Sequence, residues 1–206
     1  MYVVHGDPRN RTQRVLWMLE ELERDYTIRL TKARSDEARA INPSGKVPVL
    51  MDGAAAIPDS IAACQYLADK HSALTFAAGT TERGSQDAMT QFVSAEIDAA
   101  LWALAKHKFA LPAEHRLEGM RETFGFELAL GLERLTAYLG DKTYLTGDTF
   151  TVPDLILGHC LSWATAVKAE IPEGPMSEYA KRVLSRPALA RARDKGEAAK
   201  ASAPDA

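Results

Sequence analysis

The sequence predicts an α/β domain followed by an all-helical one, and three observations carry that reading. The first 70 or so residues alternate short β-branched runs with two helical stripes, in the order β-α-β, then β-β-α. A small, polar stretch follows. Beyond it every apolar run repeats at helical spacing.

Tyr2-Val3-Val4-His5 is a short strand, and Gly6-Asp7-Pro8-Arg9-Asn10 is a loop of turn residues. The helix that follows places Val15, Leu16, Met18, Leu19 and Leu22 on one face, with Trp17 off that stripe. Asn10 or Thr12 can cap it. Tyr26 to Leu30 alternate as a second strand, and residues 35–41 are polar and fit no element clearly. Asn42-Pro43 and Ser44-Gly45 are turn dipeptides leading into the β-branched run Val47 to Met51. Pro48 has no N–H for a ladder. Either a cis Val47-Pro48 bond, about 0.5–1 kcal/mol above trans, or an ordinary strand entry accounts for it. A cis bond would turn the Val47 peptide edge outward. Asp52-Gly53 turns the chain back into Ala54–Ile57, and Ser60 caps a helix to about Lys70 carrying Ile61, Cys64 and Leu67. Such a β-α-β-β-α order makes a four-stranded sheet with helices packed on it.

The small, polar text from Ser72 to Ser85 divides the chain into a domain of residues 1–74, a linker of 75–85 and a helical domain of 86–206. Met89, Phe92, Val93, Ile97, Leu101 and Leu104 form one stripe. Phe124, Leu128, Leu132, Leu135 and Leu139 form another, ended by Gly140. Thr151-Val152-Pro153-Asp154 fits the capping box, so losing the Asp154 side chain is expected to cost about 0.5–2 kcal/mol. The helix it opens, with Leu155, Ile156, His159, Cys160, Trp163 and Val167, is apolar on most sides and belongs at a domain's centre. Two short helices, about 176–185 and 187–195, precede a frayed tail.

Net charge is −3, which gives no argument for a nucleic-acid or anionic-membrane partner. Two cysteines, Cys64 and Cys160, sit in apolar helical patterns and read as buried thiols rather than a disulfide. No metal-spaced Cys/His set occurs, so no metal is expected. The N-terminus shows no signal pattern and no run reaches membrane length, so a cytoplasmic protein is expected. Gly45-Lys46 fails as a phosphate loop, because Ala40 and Val47 stand where that motif needs Gly and Ser or Thr.

Four pieces in order give a resemblance over nearly the whole length: Asn42-Pro43-Ser44-Gly45-Lys46-Val47-Pro48-Val49-Leu50 with Asp59-Ser60; Arg14 to Leu22; Gly147 to Asp154; and Arg186-Pro187-Ala188-Leu189. The chain resembles the cytosolic glutathione transferases. The resemblance implies a thioredoxin-like N-terminal domain that binds glutathione, an all-α C-terminal domain, a homodimer, and a second pocket for a small hydrophobic electrophile. Val47 before Pro48 would pair main chain to main chain with the cysteinyl part of glutathione. Ser60, at a helix N-terminus, would hold the γ-glutamyl carboxylate. Asp59, one methylene shorter than the family's frequent Glu, would take its ammonium, and Lys46 a ligand carboxylate. Ser60 is equally a good helix cap without any ligand, and Lys46 an ordinary loop lysine.

The family places a Ser, Tyr or Cys near the sulfur at the start of the first helix. Counting back four from Arg14, that position is Asn10, with Thr12 the other candidate. Arg9 and Arg11 could favour a thiolate by charge. Trp102, His107 and Phe109 would border the electrophile pocket. The expected activity is conjugation to a small electrophile, or reduction of a peroxide. Asn10 in place of a hydroxyl or thiol also motivates a rival: a non-catalytic binding or scaffold protein of the same fold. Thiol-disulfide exchange is disfavoured, because residues 5–14 contain no cysteine.

Overall fold

Four short strands form one mixed sheet in the order β2-β1-β3-β4 in a computed structural model that describes residues 1–202. β1 (Tyr2–His5) runs parallel to β2 (Tyr26–Arg29) and antiparallel to β3 (Val49–Asp52), which pairs antiparallel with β4 (Ala55–Pro58). The registers His5↔Val49 and Val49↔Pro58 fix which segments leave the sheet at one end: Gly6 onward, the chain before Val49, and the chain after Pro58. That end carries the segments singled out above. The helices of this part are α1 (Thr12–Glu21), α2 (Asp36–Ile41) and α3 (Ser60–His71). The polar segment 35–41 resolves as α2 because the Ser35 hydroxyl accepts from the Ala38 N–H and caps it.

By contact the chain forms two compact units, Met1–Ala77 together with the segment beginning at Ser185, and Ala78–Leu184. The last helix, α9 (Pro187–Ala201), therefore groups with the sheet, because it packs along α1. This contact corrects two expectations. Trp17, placed off the stripe, is fully buried, since α9 covers the side of α1 that periodicity assigns to water. The tail does not fray at Lys195. It stays helical to Ala201, held by Arg9–Glu197 and Lys200–Asp7 ion pairs and by Gly196 lying against Pro8.

The second unit is helical, as the composition of its stripes requires. α4 (Thr81–Phe92), capped by Thr80, continues through a π-helical segment, Val93–Asp98, into α5 (Ala99–Ala105) and a second π segment, Lys106–Ala110. The first π segment lies against α6 (Met120–Leu139) where a Cβ on Gly131 would come within 2.8 Å of Ile97 Cδ1. α7 (Val152–Ala166) is the unit's buried centre, with Leu155, Ile156, Leu157, Cys160, Leu161 and Ala164 fully buried, and α8 (Pro175–Leu184) packs on it. Among the described residues no helix is long and apolar enough to cross a membrane.

Candidate functional site

Asn42 builds the entry to β3. Its Oδ1 accepts from the Ser44 N–H and hydroxyl, and its Nδ2 donates to the Lys46 carbonyl. Gly45 takes a φ of +65° there, and a Cβ would press 3.2 Å from the Arg34 backbone. The chain then reaches a cis Val47-Pro48 bond, which decides between the two readings left open by the sequence. Val47 is half-buried, and among the described residues no hydrogen bond takes up its N–H or C=O. Pro48 is buried behind it and Lys46 is exposed.

Val47 and Ser60 each lie two residues beyond the last ladder pair, Val49↔Pro58, so the register brings them to the same end of one hairpin. Here the structure corrects one assignment. Asp59, not Ser60, caps α3: its Oδ1 accepts from the N–H groups of Ile61 (2.8 Å) and Ala62 (3.2 Å). Asp59 holds a φ of +75°, a strained conformation for a non-glycine residue. Ser60 is the first helical residue, 2% exposed, and no described group accepts its N–H. Asp59 Oδ2 and the Ser60 N–H are thus the polar groups this corner still offers, alongside the Ser60 hydroxyl.

The loop before α1 is set by Asn10 and Thr12 together. Asn10 Oδ1 accepts from both the N–H (2.8 Å) and the hydroxyl (2.7 Å) of Thr12. The backbone N–H can only donate, so the amide's oxygen faces Thr12 and its NH2 faces away. Asn10 is exposed. Thr12 is buried against Gly6, where a Cβ would meet its Oγ1 at 2.2 Å. The structure thus gives the two candidates different places, Asn10 at the surface and Thr12 beneath it. Arg9 is turned to Glu197, while its N–H donates to Asp7, which Lys200 grips in turn. Burial pushes the Asp7 carboxyl up, but the Arg9 N–H and Lys200 bring it below its ordinary value.

The geometry and the comparisons with known proteins point the same way. Residues 10–70 match the glutathione S-transferase N-terminal domain model, and residues 99–187 match the C-terminal domain model. A glutathione S-transferase of Silene vulgaris is 30% identical over 203 residues, covering 89% of this chain and 93% of the relative. The chain belongs to the glutathione S-transferase family. The crystal structure of a glutathione transferase from Methylococcus capsulatus has the same fold, with a TM-score of 0.84 at 23% identity over 96% of this chain and all of that one. A theta-class family member from Xanthomonas axonopodis pv. citri, solved with glutathione bound, gives 0.78 at 25% identity, covering 93% and 96%.

One residue of the family corner escaped the sequence reading. Arg14 is fully buried, and its Nη1 lies 3.3 Å from Ser60 Oγ. Its signal was present, since it precedes Met18 by four and Leu22 by eight and so falls on the buried stripe of α1. Cys64 is fully buried, its thiol reaching the Arg14 carbonyl at 3.5 Å, and burial pushes its pKa up. Of the side chains assigned to an electrophile pocket, His107 stacks on Phe124 and accepts from the Leu117 N–H, while Phe109 is exposed.

Proposed function

We propose that this protein is a glutathione transferase that binds glutathione at the Val47–Ser60 corner and presents its thiolate to a small hydrophobic electrophile. The observation that carries the reading is a set of three open main-chain groups: the Val47 N–H and C=O, and the Ser60 N–H, lie at one end of one hairpin with no partner among the described residues. An extended peptide with a carboxylate at one end meets both needs. Val47 pairs with the cysteinyl unit, Ser60 with the γ-glutamyl carboxylate, Asp59 Oδ2 with the γ-glutamyl ammonium, and Lys46 with the far carboxylate. Pro48 holds the Val47 edge in place.

Asn10 then supplies the sulfur contact. A thiol of pKa about 8.5 needs about 1.4 kcal/mol of preference for the thiolate per unit of depression. The outward amide NH2 and the N-terminal end of α1 provide donors and a positive potential. Thr12 acts by holding that amide in orientation rather than by touching sulfur. Homodimerisation, and peroxide reduction as a side activity, belong to the same reading.

Steady-state conjugation to an aromatic electrophile tests it. Ser60→Ala raises the KM for glutathione at least tenfold, consistent with losing a hydrogen bond to a charged group, about 1.5–3 kcal/mol. Asn10→Ala lowers kcat and leaves that KM within about threefold. Turnover indifferent to Ser60→Ala would remove the site assignment. A second reading, a binding protein with little chemistry, is favoured by one observation: the only hydroxyl at the start of α1, that of Thr12, is buried and donates to Asn10. Wild-type protein that binds glutathione and never turns over would select it.

A further inference from the structure

Resting on that reading, we propose that Arg14 is a positioning residue for the ligand carboxylate at Ser60. The argument begins with what α3 does not offer. A helix N-terminus ordinarily presents several open N–H groups to an anion. Here Asp59 Oδ1 already occupies those of Ile61 and Ala62, so an anion finds only the Ser60 N–H and hydroxyl. It also finds the negative charge of Asp59 beside it. The bare helix end is therefore a poor anion site, and something else must offset Asp59.

Arg14 meets both needs. A guanidinium has five donors, no acceptor, and stays charged in proteins. Its Nη1 donates to Ser60 Oγ at 3.3 Å, so the single Ser60 proton cannot point at Arg14 and is left for an acceptor on the other side of the oxygen. The charge itself is fully buried, one hydrogen bond from the atom that would touch the carboxylate. In surroundings of low dielectric that attraction is stronger than the same charge would give in water. Arg14 never touches the ligand. It turns the Ser60 hydroxyl outward and supplies the counter-charge beneath it.

A residue that only filled space between α1 and α3 would affect every ligand alike, which sets the test. Calorimetry compares glutathione with γ-aminobutyryl-cysteinyl-glycine, which lacks only the γ-glutamyl α-carboxylate and keeps its ammonium, on wild type, Arg14→Met, Arg14→Lys and Asp59→Asn. A second probe, the same tripeptide built from glutaric acid in place of glutamate, keeps a carboxylate and lacks the ammonium. Arg14→Met weakens glutathione and the glutaryl tripeptide at least tenfold and the aminobutyryl-type tripeptide less than threefold, Arg14→Lys falls between, and Asp59→Asn does not weaken the glutaryl tripeptide. An equal effect of Arg14→Met on all three probes, or none on any, overturns the proposal. If Arg14→Met does not fold, Arg14→Lys carries the comparison: a glutathione-to-analogue ratio moved at least threefold supports it, and an unmoved ratio overturns it. Failure of the wild type to bind glutathione at all overturns the functional reading as well. Binding that is lost in Ser60→Ala but untouched in Arg14→Met removes the role of Arg14 alone.

Discussion

Glu20 on α1 and Asp154 on α7 are both buried carboxylates, and they are held in opposite ways. Glu20 accepts from the Tyr26 hydroxyl at 2.8 Å and meets Arg191 (2.9 Å) and Lys195 (2.5 Å) of α9. Its neighbour Glu21 accepts from Nε and Nη2 of Arg186 and from the Trp17 indole N–H. Asp154 has neutral donors instead: the N–H groups of Leu145 and Thr151, the Thr151 hydroxyl, and the hydroxyl of buried Tyr179. Burial pushes the Glu20 carboxyl up, but Lys195, Tyr26 and Arg191 together bring it below its ordinary value. Burial pushes Asp154 up too, and there the hydrogen bonds do not reverse it. The α1–α9 seam is fastened by charges 165 or more residues apart in the chain. The centre of the helical unit is fastened by neutral hydrogen bonds around one cap, from its own turn and from Tyr179 of α8.

The largest break falls on the second region. Asp154→Ala leaves four donors without their acceptor, two of them backbone, so the loss reaches about 3 kcal/mol or more, beyond an ordinary cap. Chemical denaturation measures it, and a loss under about 1 kcal/mol would reduce Asp154 to a surface-type cap. Next comes Gly196→Ala. The new Cβ would lie 2.7 Å from Pro8 Cβ, so α9 and the loop carrying Asn10 must separate, at about 1–3 kcal/mol. The same variant is expected to lower kcat for conjugation, and unchanged melting and turnover would show that the loop has slack.

Glu20→Gln removes one of the seam's charges and costs about 1 kcal/mol, a modest figure because Arg191 and Lys195 keep much of their access to water. The pH response then separates the two acids. Glu20 is depressed when folded, so its contribution is present above its ordinary value of 4.5 and lost as pH falls through the lower folded value. Asp154 is raised when folded, so its contribution is present below 3.8 and lost as pH rises through the higher folded value. On acidification the melting gap between wild type and Glu20→Gln closes, while wild type gains on Asp154→Asn. Parallel melts for all three across pH would cancel the distinction.

The same contrast explains what the sequence made legible. The turns and the start of α7 were readable because each depends on residues within a few positions: Asn42 to Pro48 on its own turn, Thr151 to Asp154 on its own box. Trp17 was placed off the buried stripe because periodicity assumes water on the far side of α1, and α9 lies there instead, whereas Arg14 lies on the stripe and was passed over because it is charged. The helical state of residues 196–201 has the same origin, for Arg9, Asp7 and Pro8 supply its partners. At the site, the family resemblance grouped Lys46, Val47, Pro48, Asp59 and Ser60, and the hairpin register carries Val47 and Ser60 to one end of the sheet. The sequence did not show that Asp59 would cap α3 in place of Ser60, nor that Asn10 and Thr12 would bond each other, since each pattern admits either residue as the cap.

The most direct test of the central claim is a calorimetric titration of the purified protein with glutathione, repeated on Ser60→Ala. The account predicts saturable one-site binding by the wild type and at least a tenfold weaker dissociation constant in Ser60→Ala, with both proteins melting within a few degrees of each other. Wild-type protein that takes up no glutathione at millimolar concentration, or a Ser60→Ala variant that binds as tightly as wild type, would contradict it.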